Sequence, residues 1–220
     1  MKNSPYFKQA QLMLRVMPHV GAEKCFALKG GTAINFFVRD MSRLSVDIDL
    51  TYLPLEPRGV TLVNIGEALQ RVAAAIRKSV PGAIVQEGQA RGAGHVSKLS
   101  VSTVDATIKI ESNPVLRGAV FVAVERQLSA RAEELFELSV TASTLAVGDL
   151  YGGKLCAALG LERAHYGVDL CGDALFITAG EAGRIGRSPR INIDYAGAWV
   201  HKPWRFYERG NRYVSVKPRD

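Results

Sequence analysis

Two short strings constrain what this chain can fold into: Leu28-Lys29-Gly30-Gly31-Thr32-Ala33 and Leu44-Ser45-Val46-Asp47-Ile48-Asp49-Leu50. The first predicts an apolar strand from Cys25 to Leu28, a glycine turn, and a short helix from Ala33 to Arg39. The second predicts a strand that presents Asp47 and Asp49 together, because residues two apart on a strand share a face, while Val46, Ile48 and Leu50 point to the core. Glycines at a strand-to-helix turn let the backbone approach a phosphate, and the first N–H groups of the helix point at it. Paired carboxylates beside such a turn supply the hard oxygen ligands that Mg²⁺ prefers, with substrate phosphates completing its shell.

The surrounding pattern supplies a scaffold for that turn. Residues 6 to 20 carry apolar side chains at helical spacing, with an end near Pro18 and Gly21 as the stop. Leu62, Ile65, Leu69, Val72, Ile76 and Val80 predict a helix over residues 62–80 that covers one face of a sheet, ended by Pro81-Gly82. Strands are expected at Ala83 to Gln86, 95–101, 106–113 and 119–124, with a polar, glycine-rich turn from Glu87 to Gly94. In the strand at 106–113, Thr107, Lys109 and Glu111 share one face and Ile108 and Ile110 the other. A short helix is expected at Arg131 to Leu138, and another opens near Asp149.

Several function classes drop out. No window approaches the roughly 18 consecutive apolar residues of a membrane span, and the amino terminus leads into an amphipathic pattern instead of a secretory signal core. Cys25, Cys156 and Cys171 are widely spaced and lack histidines at zinc spacing, which points to a cytoplasmic chain with neither a disulfide framework nor a metal knot. The net charge of +7 is concentrated in residues 184–220, which hold nine Lys or Arg and three Asp or Glu. That basic tail is either a phosphate-contacting segment or a solvated end.

Gly-Gly-Thr followed, after a short helix, by Asp-x-Asp resembles the signature of the polymerase-β-like nucleotidyltransferases. The fuller string, from Phe26 to Asn35 and from Arg43 to Leu50, resembles one branch of them: the AbiEii-type toxins of bacterial type IV toxin–antitoxin and abortive-infection systems. The resemblance covers about residues 6–159. It implies a fold of the α+β class, a mixed sheet flanked by helices, with a core domain over 1–142 and a carboxyl-terminal part over 143–220 that starts helical and ends as the divergent basic tail.

It also implies roles for particular residues. Lys109-Ile110-Glu111 matches the position of the family's third carboxylate, so Asp47, Asp49 and Glu111 become the expected Mg²⁺ ligands. Asp149 followed five residues later by Lys154 matches a further family motif, which places Lys154 to reach nucleotide phosphates. Gly30, Gly31 and Thr32, the last through its hydroxyl as well, are expected to hold the nucleoside triphosphate, along with Ser45 and Lys109. Lys29, Arg39 and Arg43 flank the turn as further candidate phosphate contacts or as solvated charges.

The implied activity is transfer of a nucleoside monophosphate to an RNA acceptor such as a tRNA 3′ end, in a cytoplasmic toxin neutralised by a cognate antitoxin protein and without a membrane partner. After Leu159 the pattern departs: the family's Arg-Asp-x-x-Asp segment is missing, and Arg163, His165, Asp169 and Asp173 stand in a different arrangement. The sequence reads as a family protein whose carboxyl-terminal half has been replaced. Two other readings therefore stay open, a nucleotide-binding remnant without turnover and a transferase acting on a small molecule such as an antibiotic.

Overall fold

The computed structural model describes residues 4–41, 44–89, 94–115, 117–152, 184–189, 200–203 and 205–209. The chain divides into two compact units, Met1–Glu162 and Arg163–Asp220. In the second, strands β8 (Ile185–Ser188) and β9 (Arg205–Glu208) pair antiparallel, with Ile185 opposite Glu208.

The first unit begins with α1 (Pro5–Gly21), where local chemistry sets the start: the Ser4 hydroxyl accepts the Phe7 N–H at 3.2 Å, and Pro5 occupies the first turn, where no N–H is needed. The helix passes through Pro18 and ends at Gly21. Strand β1 (Phe26–Lys29) leads into α2 (Gly30–Thr32), which continues directly as a π-helical segment, Ala33–Val38. Strand β2 (Ile48–Tyr52) is followed by α3 (Arg58–Ser79). Next come β3 (Ile84–Gln89), β4 (Val96–Ser102), β5 (Thr107–Ser112), β6 (Val124–Gln127), α4 (Ala130–Phe136) and β7 (Thr141–Thr144). Residues 147–152 open a further helix.

Seven strands form one mixed sheet in the order β3-β4-β5-β2-β1-β7-β6. The pairs β2–β5 and β1–β7 are parallel and the others antiparallel. Helices α1 and α3 pack against each other and against this sheet. On α3, the buried Ile65, Leu69, Val72 and Ile76 form the apolar stripe. Each such side chain contributes about 1.5–3 kcal/mol when buried, which outweighs the propensity cost of about 1 kcal/mol for Gly66 within the helix. Gly66 has a use here, since a Cβ would stand 3.4 Å from the His95 Cβ, so its absence lets α3 lie close to the start of β4.

The π-helical segment is anchored by rings. Phe136 stacks on Phe7 at 4.7 Å and lies 6.1 Å from Phe36, joining α4, α1 and the segment after the glycine turn. The Phe36 carbonyl also accepts the Ser129 N–H at 2.8 Å.

Two sequence expectations are corrected. The strand expected from Leu44 begins only at Ile48, because its partner β1 ends at Lys29, opposite Asp49, where the chain turns into α2. Asp47 therefore stands just before the strand. The strand expected at 119–124 is shifted to β6, and Val120, Phe121 and Val122 are exposed outside it. The Val120 and Phe121 N–H groups bond the Asp149 carboxylate at 3.0 Å each.

Candidate functional site

The alternation of β5 decides which face carries chemistry. Ile108, Ile110 and Ser112 are buried, while Thr107, Lys109 and Glu111 are exposed on the opposite face. Parallel pairing sets Glu111 directly beside Asp49, and antiparallel pairing sets Asp49 beside Lys29. These three residues, with Ser112, Asn113 and Pro114, line a surface depression. Among the described residues no three acidic, histidine or cysteine side chains converge into a ready-made metal cage. Mg²⁺ needs no such cage, since one or two carboxylates suffice when substrate phosphates and water fill the remaining positions. Asp49 and Glu111, side by side and both hard oxygen donors, fit that requirement. Asp47 is exposed one residue before the strand, two residues from Asp49.

Gly30 is fitted to Asp49. Its φ is +74°, a region costly for L side chains, and a Cβ there would overlap the Asp49 Oδ2 and lie 3.3 Å from the Asp49 Cβ and Cγ. The glycine thus serves two ends: it turns the chain from β1 into α2 and leaves room for the carboxylate at the start of that helix. Lys29, half-buried beside them, has its pKa held below the usual lysine range by burial, with the Asp49 charge opposing the shift.

Thr32 is tied into the fold. Its side chain is buried, and its hydroxyl donates to the Asp47 carbonyl at 2.6 Å with the Ser45 hydroxyl 3.0 Å away. Thr32 and Ser45 therefore latch the helix after the glycine turn to the segment that carries Asp47, and the Thr32 hydroxyl is engaged in that latch. Asn35 adds a second tie, its amide donating to the Gly31 carbonyl at 2.7 Å.

Arg39 donates to the Tyr151 hydroxyl at 3.1 Å. Lys109 is exposed on the Glu111 face, two residues from it. Arg43 and Lys154 lie outside the described residues, as do Arg163, His165, Asp169 and Asp173. Asp149, expected to open a helix, lies within the helical residues 147–152 and clamps the 120–121 loop. The Thr32–Asp47 latch and the Asp149 clamp were missed by sequence reasoning. Both are side-chain-to-backbone bonds between segments far apart in sequence, for which a single sequence carries no spacing signal.

The family model described as "Nucleotidyl transferase AbiEii toxin, Type IV TA system" matches residues 11–170. Among solved structures, MenT4, a nucleotidyltransferase toxin from Mycobacterium tuberculosis H37Rv, aligns with a TM-score of 0.51 at 15% identity, covering 70% of this chain and 53% of that one. At that identity the likeness concerns the fold, an α+β arrangement with a mixed sheet flanked by helices. A second kind of relative matches a smaller part. A putative 3-methyladenine DNA glycosylase from Anaeromyxobacter sp. (strain Fw109-5) is 46% identical over 69 residues, 30% of this chain and 36% of that protein. Similarly named proteins from Myxococcus xanthus and Bacillus cereus (strain G9842) are 42% and 44% identical over 69 and 72 residues. The chain spans about a third of the length of these curated relatives.

Proposed function

We propose that this chain, which belongs to the AbiEii nucleotidyl transferase toxin family, transfers a nucleoside monophosphate from a nucleoside triphosphate to the 3′ end of an RNA such as tRNA. We further propose that it does so with Mg²⁺, in the cytoplasm, as the toxin of a type IV system restrained by an antitoxin protein. The observation that carries the reading is the row Lys29–Asp49–Glu111 on adjacent strands, with Gly30 turning into a helix beside it.

In this reading Asp49 and Glu111, joined by Asp47, hold Mg²⁺ together with the triphosphate. The metal supplies charge neutralisation at the phosphates and acidifies the attacking hydroxyl. The chain's own residues do the positioning. The latch from Thr32 to the Asp47 carbonyl fixes one carboxylate relative to the glycine turn, whose backbone N–H groups face the terminal phosphates. Lys29 places a positive charge on the side of Asp49 away from Glu111, and Lys154, five residues after Asp149 in sequence, is assigned a second. The acceptor hydroxyl oxygen bonds to the α-phosphorus as the bond to pyrophosphate breaks; the hydroxyl proton passes to solvent and pyrophosphate leaves.

The test is incorporation of labelled nucleotide, each of the four in turn, into total tRNA with Mg²⁺, against an Asp47→Ala control. Label present with the native chain and lost in the variant supports the reading. Nucleotide binding without transfer to RNA or to small acceptors would leave a remnant; transfer to a small molecule in preference to RNA would leave the antibiotic-modifying alternative.

A second reading rests on the DNA glycosylase relatives. The family model ends at residue 170, and we infer that the glycosylase-like stretch, 30% of the chain, takes in the residues beyond it and overlaps the last residues of the family match. The match spans about a third of those relatives' length. Release of free base from methylated DNA would establish base excision; intact methylated DNA would set this reading aside.

A further inference from the structure

Past Glu111 the open face of the sheet continues across β4 to the edge strand β3. Cross-strand pairing sets Lys98 opposite Glu111 and Gly88 opposite Lys98, with Ser100 opposite Lys109 and Gln86 opposite Ser100 in the next row. A groove follows these rows, lined by Gln86, Glu87 and Gly88 of β3 and by Lys98, Ser100, Lys109 and Glu111 of β4 and β5. Two carboxylates lie among the lining residues, Glu111 and Glu87. Glu87, opposite Leu99 in the ladder, is exposed and receives Arg77 of α3 at 2.9 Å, so its charge is already paired.

Lys98 has no ion-pair partner among the described residues, although it stands opposite Glu111. Its stem lies over Gly88 instead: a Cβ at 88 would come within 2.8 Å of Lys98 Cγ and 2.6 Å of its Cε. The missing side chain thus lets the ammonium lean toward the sheet edge and away from the carboxylate pair. Lys109 is likewise exposed and without an ion-pair partner among the described residues.

We propose that this groove is the track for the acceptor: a single-stranded nucleic acid lies across β4 and β3 with its phosphates on Lys98 and Lys109 and its 3′ hydroxyl at Glu111. The proposal rests on the nucleotidyl-transfer reading above and moves Lys109 from the nucleotide to the acceptor. Two features favour a polynucleotide over a small acceptor. With Glu87 neutralised by Arg77 and Glu111 at the catalytic end, the lining offers two cations unpaired among the described residues, with hydroxyl and amide groups, a composition that holds a phosphate backbone without reading sequence. The track also spans two strand spacings, about 10 Å, and runs out at an open edge where further nucleotides can continue, whereas small-molecule sites enclose most of their ligand.

The test measures binding of a labelled single-stranded RNA of mixed sequence to the full chain, and separately binding of nucleoside triphosphate with Mg²⁺, in Lys98→Glu and Lys98→Glu/Lys109→Glu variants. Lys78→Glu, an exposed lysine of α3, controls for net charge. The double variant is expected to bind RNA at least roughly tenfold more weakly. The slope of log affinity against log salt should fall by about 0.7 per lysine removed, with nucleotide binding and the Lys78→Glu control unchanged. Equal RNA binding by native chain and double variant overturns the proposal, as does a loss confined to nucleotide binding, or an equal loss in Lys78→Glu. Because RNA binding is read apart from transfer, a chain that binds RNA on this groove yet transfers nothing would contradict the catalytic reading and leave the track intact.

Discussion

The Thr32 hydroxyl donates to the Asp47 carbonyl at 2.6 Å, bridging the helix of the glycine turn and the segment that leads into β2. Thr32 is buried, so removing its hydroxyl leaves a carbonyl without its partner, at a cost of about 1–3 kcal/mol. Thr32→Val should lower stability in urea unfolding by that amount and reduce nucleotide transfer, while Thr32→Ser should restore both. A valine variant with native stability and activity would remove the latch from the account.

Gly30→Ala meets two obstacles at once. The φ of +74° costs an L residue about 1–2 kcal/mol, and the new Cβ overlaps the Asp49 carboxylate. The expected result is a destabilised chain whose Mg²⁺-dependent nucleotide binding is lost at temperatures where it is still folded. Binding unchanged in calorimetry would show that Asp49 has another place to go.

How far the site was legible in the sequence follows from these two residues. Gly30 and the Asp-x-Asp spacing announce themselves because glycine and a two-residue period have direct backbone meaning. The alternation of β5 likewise placed Glu111 and Lys109 on one face, and the stripe on α3 marked its buried side. What stayed hidden depends on pairing. Nothing in residues 44–50 says that β1 runs out at Lys29 and so leaves Asp47 outside the ladder. The apolar run Val120-Phe121-Val122 reads as a strand until Asp149, far along the chain, takes its N–H groups. Register also put Lys98 beside Glu111, a neighbour that no local pattern indicates.

Asp149 should hold the 120–121 loop through two charge-assisted bonds at 3.0 Å. In Asp149→Ala, amide hydrogen exchange at Val120 and Phe121 is expected to quicken by about tenfold or more, since such bonds contribute about 1.5–3 kcal/mol and this one is partly exposed. Exchange at the native rate would mean that the loop is held by other contacts.

Burial, with the Glu23 charge adding to it, pushes the Cys25 thiol up to about 11 from 9.0. A thiol whose pKa is raised in the folded chain favours folding fully below pH 9 and loses that contribution as pH rises toward 11. In a background with Cys156→Ser and Cys171→Ser, Cys25 should react slowly with iodoacetamide at pH 8 and accelerate toward pH 11. Fast alkylation at pH 8 would show an ordinary, accessible thiol.

The central claim is that Asp49 and Glu111, paired in register on β2 and β5, hold a metal-bound nucleotide. Calorimetric titration of nucleoside triphosphate with and without Mg²⁺ tests it most directly, comparing the native chain with Asp49→Asn and Glu111→Gln. The account predicts that Mg²⁺ tightens nucleotide binding to the native chain by at least about tenfold, roughly 1.4 kcal/mol, and that either substitution removes most of this gain. The same Mg²⁺ dependence in all three proteins would contradict it.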